Sequence, residues 1–388
     1  MNCDVRNESA RALNAVLIRS NPVRPYPRLE KMANCLAKNG CGVTVLAWDR
    51  DADYAPKEEE LKLKNATVKI VRVGLKGQFS GGFKKNLKSL LKFQRFIYKW
   101  LKNHRAEYDI IHAYDFDTGY TAAKCAKKFK KKFVYDIPDY YVDSHGLRGA
   151  LGAIVKRLEN SVINRADATI ICTEERKRQI ADARPVKLYV VHNTPDVDVD
   201  PDSDRVENES GRLKLVYVGI FGRARFLDKI AEAVAARDDC ELHVGGFGAA
   251  MEPFFEEMAK KHDNIFYYGR IPYDKTIALE KECDVMCAVY DPKVPNHFYA
   301  APNKFYEALS LGKPLIMARN TGMASVVEER GLGETIDYNV ESFNRALDRL
   351  IADKSRRKEI FVKATELYRR EYSWKKMERV IEEIYSNL

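Results

Sequence analysis

Short apolar runs alternate with segments of helical period along nearly the whole chain. Asn14 to Ser20 (NAVLIRS) ends in the turn-rich NPVRPYP, RLEKMANCLAKNG then shows helical spacing up to Gly40, and Val43 to Ala47 is a strand by composition. The series continues through TVKIVRV (Thr67 to Val73), DIIHAY (Asp109 to Tyr114), FVYDI (Phe133 to Ile137), ATIICT (Ala168 to Thr173) and LYVVHN (Leu188 to Asn193). Helices are expected between them, including one near Thr121 to Phe129 and one over Glu159 to Asp167. Strands separated by helices imply a parallel sheet covered on both faces. Pro195 to Arg212 (PDVDVDPDSDRVENESGR) is polar, acidic and aperiodic, as an interdomain linker is. A second series follows with LKLVYVG, ELHVGGFG, IFYYG, DVMCAVY and KPLIMA. The expectation is an α/β protein of two Rossmann-like, doubly wound parallel-sheet domains, 1–194 and 213–371, with linker 195–212 and a ligand cleft at the carboxyl ends of the strands.

Length agrees, since 388 residues is too long for one ordinary core. Hydrophobic residues make up 45% and charged residues 31%, which fits a water-soluble chain, and no apolar run approaches the roughly 18 residues of a membrane span. The start, MNCDVRNESARALN, has no apolar signal-peptide core, so a cytoplasmic location is expected. The eight cysteines are scattered without a CxxC pair or zinc spacing, which favours reduced thiols over disulfides or metal.

The net charge of +10 changes the picture more, because it calls for a polyanionic partner. Phe83 to Arg105 (FKKNLKSLLKFQRFIYKWLKNHR) sets an apolar stripe beside a cationic face, and KKFKKKF at Lys127 to Phe133 adds to it. Two readings stay open: a helix lying on an anionic membrane surface, possible as a peripheral partner through residues 83–105, or an ordinary amphipathic helix packed on its own sheet. No helix-turn-helix, zinc or RNA-binding signature supports a nucleic acid.

The strongest chemical signal is APNKFYEALSLGKPLI, Ala301 to Ile316. A loop bearing Lys304 leads into a helix bearing Glu307, which closes at Gly312. Helix N-termini attract phosphate through unpaired amides and the helix dipole. A lysine there can neutralise a diphosphate, and a carboxylate one turn on can accept hydrogen bonds from ribose hydroxyls; the competing reading is a capped helix with a surface lysine and a solvated glutamate.

With these motifs the chain resembles glycosyltransferase family 4, retaining sugar transferases of the two-domain GT-B architecture, over nearly its whole length. The resemblance implies that the segment with Tyr299, Ala301, Pro302, Asn303, Lys304 and Glu307 binds the donor, with Lys304 on the diphosphate and Glu307 on the ribose. VYVGIFGRARFLDKIAEAV is similar to the family's glycine turn, so Gly219 and Gly222 would let backbone approach the phosphates while Arg223, and second Arg225, supplies charge. FVYDIPDYYVD resembles the family's loop facing the sugar and acceptor, giving Asp139 and Asp143. Two departures stand out: Tyr299 holds a position that is acidic in many members, and NPVRPYPR replaces a paired-glycine loop, with Arg24 and Arg28 as acceptor-side candidates. Pro138 stands where His or Arg is frequent, so only Asp139 and His112 remain as candidate catalytic groups. His112, alone after an apolar strand, has a structural role as its competing reading.

The resemblance further implies a C-terminal helix, 372–388, crossing back to the N-terminal domain. It implies transfer with retention from a UDP- or GDP-linked sugar to a glycan or lipid-linked acceptor, in surface polysaccharide or glycoconjugate synthesis, without metal or cofactor. Positive charge at the leaving diphosphate is the largest contribution the protein can make to that reaction. The Asp196-Val197-Asp198 and Asp198-Val199-Asp200 triplets in the linker read as a solvated acidic loop rather than a metal motif. A GT-B nucleotide-sugar epimerase and a catalytically degenerate binding subunit are the alternatives.

Overall fold

The computed structural model describes residues 12–77, 82–197 and 211–388, the side chains of 82–85 excepted. Cys3, the aspartate triplets beyond Val197, most of the expected linker and the side chains of Lys84 and Lys85 lie outside the described residues. The chain divides into two compact units, one of the residues up to Val191 with Glu378–Leu388, the other of His192–Met377.

Unit 1 is built on β1 (Asn14–Arg19), β2 (Gly42–Asp49), β3 (Tyr54–Lys62), β4 (Thr67–Gly74), β5 (Ile110–Tyr114), β6 (Lys132–Ile137), β7 (Ala168–Ile171) and β8 (Leu188–Val190). They lie in the order β3-β4-β2-β1-β5-β6-β7-β8, parallel except for β3, which runs antiparallel along β4. The hydrophobic pattern does not announce β3. Its sequence, YAPKEEELK, is nearly all polar, because an edge strand can solvate its outer row while Glu59 pairs with Arg72 of β4.

Its longer helices are α1 (Pro27–Lys38), α2 (Gly82–Asn103), α3 (Phe116–Phe129) and α4 (Gly149–Ile163). In α2, Leu90, Phe93, Ile97, Trp100 and Leu101 are buried, the 3–4 spacing that turns one stripe inward, and Phe93 stacks on Trp48 of β2 at 5.4 Å. Each such side chain contributes about 1.5–3 kcal/mol by leaving water. Helix α3 begins at Phe116, ahead of the expected Thr121. Helix α4 spans Gly149–Ile163 rather than Glu159 to Asp167, because Asp167 is drawn into the start of β7, where its carboxylate accepts the Phe133 amide at 2.8 Å.

Unit 2 has β9 (Leu213–Ile220), β10 (Cys240–Phe247), β11 (Ile265–Tyr267), β12 (Val285–Ala288), β13 (Leu315–Ala318) and β14 (Gly333–Ile336), all parallel, in the order β11-β10-β9-β12-β13-β14. Alternate residues feed two cores: Leu215, Tyr217, Cys287 and Ile316 on one face, Val216, Val218, Met286 and Leu315 on the other. Helices α5 (Leu227–Ala235), α6 (Glu252–Lys261), α7 (Tyr273–Glu282), α8 (Asn303–Ser310), α9 (Ala324–Arg330), α10 (Val340–Ala352) and α11 (Lys354–Leu367) cover them. The last helix, α12 (Trp374–Ser386), starts in unit 2 and ends in unit 1, where Asn39 donates to Glu382 at 3.1 Å and Lys187 to the Asn387 carbonyl at 2.8 Å.

In both sheets the chain starts mid-sheet, winds one way and then reverses. The reversal lies between β1 and β5 in unit 1 and between β9 and β12 in unit 2. Ligand crevices of open parallel sheets form at such points, beyond the carboxyl ends of the strands.

Candidate functional site

At the unit 2 reversal, Gly219, the last residue but one of β9, takes a backbone conformation (φ +155°) that side chains rarely adopt. A Cβ there would stand 2.7 Å from the Lys304 Nζ, so the missing side chain lets the ammonium lie against the strand end. Gly246 of β10 is tighter still, with an added Cβ 1.8 Å from the Gly219 carbonyl oxygen. Helix α8 follows Pro302, whose fixed φ suits the turn into it, so that Lys304 falls in the first turn and Glu307 one turn on. Both are buried. The Lys304 Nζ sits 4.3 Å over the Tyr217 ring. Burial opposes that charge, but Tyr217, Tyr290 and Glu307 outweigh it and hold the lysine pKa above its ordinary value. The Tyr273 hydroxyl donates to Glu307.

The other donor-side candidates ring this centre loosely. Arg225 is half-buried with its guanidinium 3.9 Å over Tyr290, whereas Arg223 is exposed, and a Cβ added at Gly222 would meet only the Arg225 side chain, at an ordinary contact of 3.6 Å. Tyr299 ends a short helical turn, edge-on to Phe298 at 4.9 Å. Ala301 is half-buried, and Asn303 accepts from Asn193 at 2.8 Å. The structure therefore brings Gly219, Lys304 and Glu307 to one place. Tyr217, Tyr273 and Glu280 stand beside them, unselected in the sequence because a tyrosine in a strand or an acid in the helix LEKE carries no mark of its neighbours.

At the unit 1 reversal, Arg19 at the end of β1 forms an ion pair with Asp115 just after β5. Its guanidinium lies 4.5 Å over the Tyr26 ring. Asp115 takes φ +59°, an unusual conformation for an aspartate that marks a constrained position. Burial pushes its carboxyl up to about 6 against the pull of Arg19, with Asp117 and Asp139 pushing the same way. Asp115 Oδ1, Asp117 Oδ1, Arg19 Nε and Arg50 Nε are all buried without a hydrogen-bond partner. Four such atoms at one rim await water or ligand.

The acceptor-side and catalytic candidates from the sequence are placed differently. Arg28 is buried, gripping Asp136 at 2.7–3.2 Å and the Val191 carbonyl at 2.9 Å. His112 is fully buried, 2.8 Å from the Tyr385 hydroxyl of α12 and 3.7 Å from Asp136. Burial lowers the His112 pKa against the opposing pull of Asp136. Burial works against the Asp136 charge too, but Arg28 and His112 outweigh it and hold its pKa below the usual value. This network binds α1, β5, β6 and α12 together. Arg24 is half-exposed, pairing with Asp49 at 3.3 Å and Glu59 at 3.2 Å. Asp139 pairs with Arg176 at 2.9 Å and Asp143 accepts from Gln179 at 2.6 Å, both beyond β6. Arg19 and Asp115 escape sequence reading because strand pairing alone, Ile18 beside Ala113, joins them across 96 positions.

Comparison with known proteins bears on the fold and the family. The Glycosyltransferase Family 4 model matches residues 28–199 and the Glycosyl transferases group 1 model residues 198–366. No curated protein sequence matches the chain. Among solved structures, a sucrose-phosphate synthase from Thermosynechococcus elongatus superposes with TM-score 0.75 at 16% identity, covering 96% of this chain and 98% of that one. Anabaena HepE in complex with UDP-glucose gives 0.66 at 15%, covering 97% and 100%. WaaG, a glycosyltransferase involved in lipopolysaccharide biosynthesis, gives 0.65 at 14%, covering 96% and 99%. At these identities the likeness shows the GT-B fold. With a family 4 domain followed by a group 1 domain, the chain is a glycosyltransferase enzyme and belongs to the GT-B transferases of family 4.

Proposed function

We propose that the enzyme moves a sugar from a UDP- or GDP-linked donor held by unit 2 to a glycan or lipid-linked acceptor, with retention of configuration. The observation that carries this reading is the convergence of Lys304, the bare Gly219 backbone and Glu307 at the reversal point of the second sheet. A diphosphate there meets a desolvated ammonium and the unpaired amides opening α8, and Glu307 faces the ribose. As the anomeric bond breaks, charge on the departing diphosphate grows, and fixed positive groups in a dry site stabilise it most where it is largest. HepE, solved with UDP and with UDP-glucose, supports a nucleotide-sugar donor of that class.

For the acceptor, the crevice with Arg19, Asp115, Asp117 and Arg50 is a better candidate than Arg28 and His112, whose polar atoms are committed to the scaffold. The helices α2, α3 and α4, stacked side by side on unit 1, also support contact with an anionic membrane. Every exposed charge on them is positive, from Lys88, Lys92 and Arg95 to Lys124, Lys128 and Arg157, while Leu87, Leu91, Leu151 and Ile154 are exposed between. Among the described residues no helix is long and apolar enough to cross a membrane, so this contact is peripheral.

The donor reading is tested by titrating UDP and GDP, free and sugar-linked, into the protein and following thermal stability. A shift with one nucleotide series that Lys304→Ala abolishes supports it. Unchanged affinity in both Lys304→Ala and Glu307→Ala refutes the site. Charge reversal of Lys88, Lys92 and Arg95 should weaken binding to anionic vesicles, and unaltered binding removes the membrane contact.

A further inference from the structure

Among the described residues, four glutamates of unit 2 are buried, and three of them have partners. Glu241 meets His243 at 3.1 Å, Glu334 meets Arg349 and Arg356 at 2.5 and 2.6 Å, and Glu307 takes the Tyr273 hydroxyl. Glu280 is different: it is 0% exposed, and neither carboxyl oxygen has a hydrogen-bond partner. It lies on the inner face of α7, one turn after the buried Thr276. Thr276 is satisfied by the Pro272 carbonyl at 3.1 Å, while Glu280 is turned into the protein with nothing to accept from.

The charged and titratable groups that face it belong to the site already described. Lys304 and Glu307 act on it from α8, Tyr273 is on its own helix, and Tyr217 of β9 lies under the Lys304 ammonium. An ionised carboxylate without a partner is several kcal/mol too costly in such a place, and two neighbouring carboxyls do not both ionise. One of the pair keeps a proton, and Glu280, buried deeper and unpartnered, is that one. Burial first and Glu307 second push its pKa well above the ordinary carboxylate range, against the pull of Lys304.

We propose that Glu280 is a positioning residue of the nucleotide-diphosphate site, a neutral carboxylic acid that packs behind Lys304 and Glu307 without adding a second negative charge. The proposal rests on the donor-site reading above. Ionised, Glu280 would compete with the diphosphate for the Lys304 ammonium and repel the incoming phosphates. Protonated, it leaves that ammonium to the ligand, keeps Glu307 as the carboxylate for the ribose, and has a hydroxyl proton to donate to whatever oxygen the ligand brings.

The test pairs infrared spectroscopy with UDP titration on the full chain. In the unliganded protein at a pH of about 8, carbonyl absorption from protonated carboxylic acids is expected, and the Glu280→Gln difference spectrum should show the loss of the Glu280 band while that of Glu159 stays. Glu280→Ala should weaken UDP binding about tenfold, and Glu280→Gln, neutral and of the same shape, should restore it to within about threefold. If Glu280→Gln removes no such band, or weakens UDP as much as Glu280→Ala does, the neutral-acid role is overturned. Full UDP affinity in Glu280→Ala overturns it as well, and should that variant fail to fold, the band and the Gln titration still decide. Lys304→Ala is run alongside. If it binds UDP as well as the parent, the donor site itself falls and Glu280 with it; if it loses UDP while the Glu280 results go against expectation, only the positioning role falls.

Discussion

The two sheets reverse direction in the same way but furnish their crevices differently. Between β9 and β12 the chain removes side chains, with glycines at 219 and 246, and brings in one ammonium. Between β1 and β5 it places opposite charges, Arg19 against Asp115 with Arg50 and Asp117 close by. Bare backbone and a buried ammonium suit a polyanion that needs close approach. Balanced charges with buried, unpaired atoms suit a neutral, hydroxyl-rich group that exchanges hydrogen bonds one for one. Two crevices of one topology are thus specialised by a few residues at strand ends.

The sharpest way to break this comparison is to exchange the roles of two buried cations. Arg28, in unit 1, belongs to the scaffold. Arg28→Ala strands the Asp136 carboxylate in the interior and should cost about 3–5 kcal/mol of stability. Denaturant unfolding will read this, and UDP affinity of the folded fraction should not change. Adding Asp136→Leu should recover much of the loss, because removing both charges costs less than stranding one. Lys304→Ala should do the reverse, with little loss of stability and a fall in UDP affinity of roughly 30- to 100-fold, or about 2–3 kcal/mol. If Arg28→Ala instead left stability intact and altered acceptor kinetics, the division between scaffold and site in unit 1 would be wrong.

A smaller effect separates the crevice of unit 1 from the layer beneath it. Glu159 of α4 is fully buried, accepting from the Tyr135 hydroxyl at 2.9 Å while its other oxygen has no partner. Burial raises its pKa to about 8; the Tyr135 hydrogen bond opposes the rise and Asp115 adds to it. Unfolded, the same group titrates near 4.3. Between these values the folded state holds a proton that the unfolded state has released. The contribution of Glu159 is therefore fully present below about pH 4 and is lost as pH rises through about 8. Glu159→Gln cannot ionise and still accepts from Tyr135. It should be more stable than the parent by roughly 2 kcal/mol at neutral pH, with the difference shrinking toward pH 5. Parallel stability curves for the two proteins would show that Glu159 does not titrate in this range.

These contrasts also show which parts of the molecule are legible in a sequence. The strand and helix alternation could be read because the central strands bury both faces, and the Lys304–Glu307 site because both residues and their helix lie within a few positions. Strand β3 was hidden by solvation: YAPKEEELK has almost no apolar residue to give a period. The Arg19–Asp115 pair was hidden by distance along the chain, since parallel neighbours are joined only through a long crossover. Glu280 was hidden by company, because LEKEC looks like any solvated helix until the fold turns its first acid inward. His112 and Arg28 stood out as polar residues near strand ends, and burial shows them holding α12 and α1 to the sheet.

The smallest expected effect concerns Asp139, the candidate that the resemblance brought forward as a catalytic group. It follows β6 on the same rim as Asp115, but its carboxylate is already paired with Arg176, and its side chain is 54% exposed. Arg176 is only 2% exposed but also holds Gln179 at 2.9 Å, and Asp139→Asn leaves an oxygen for the guanidinium, so unfolding should register a loss of no more than about 1 kcal/mol. A general base at that position would behave differently, because removing one costs about 100-fold or more in turnover. The proposed retaining transfer, assisted by the leaving diphosphate, needs no such base, and under that proposal turnover in Asp139→Asn should stay within about threefold of the parent. A loss of 100-fold at unchanged UDP affinity would place a catalytic group in the loop after β6.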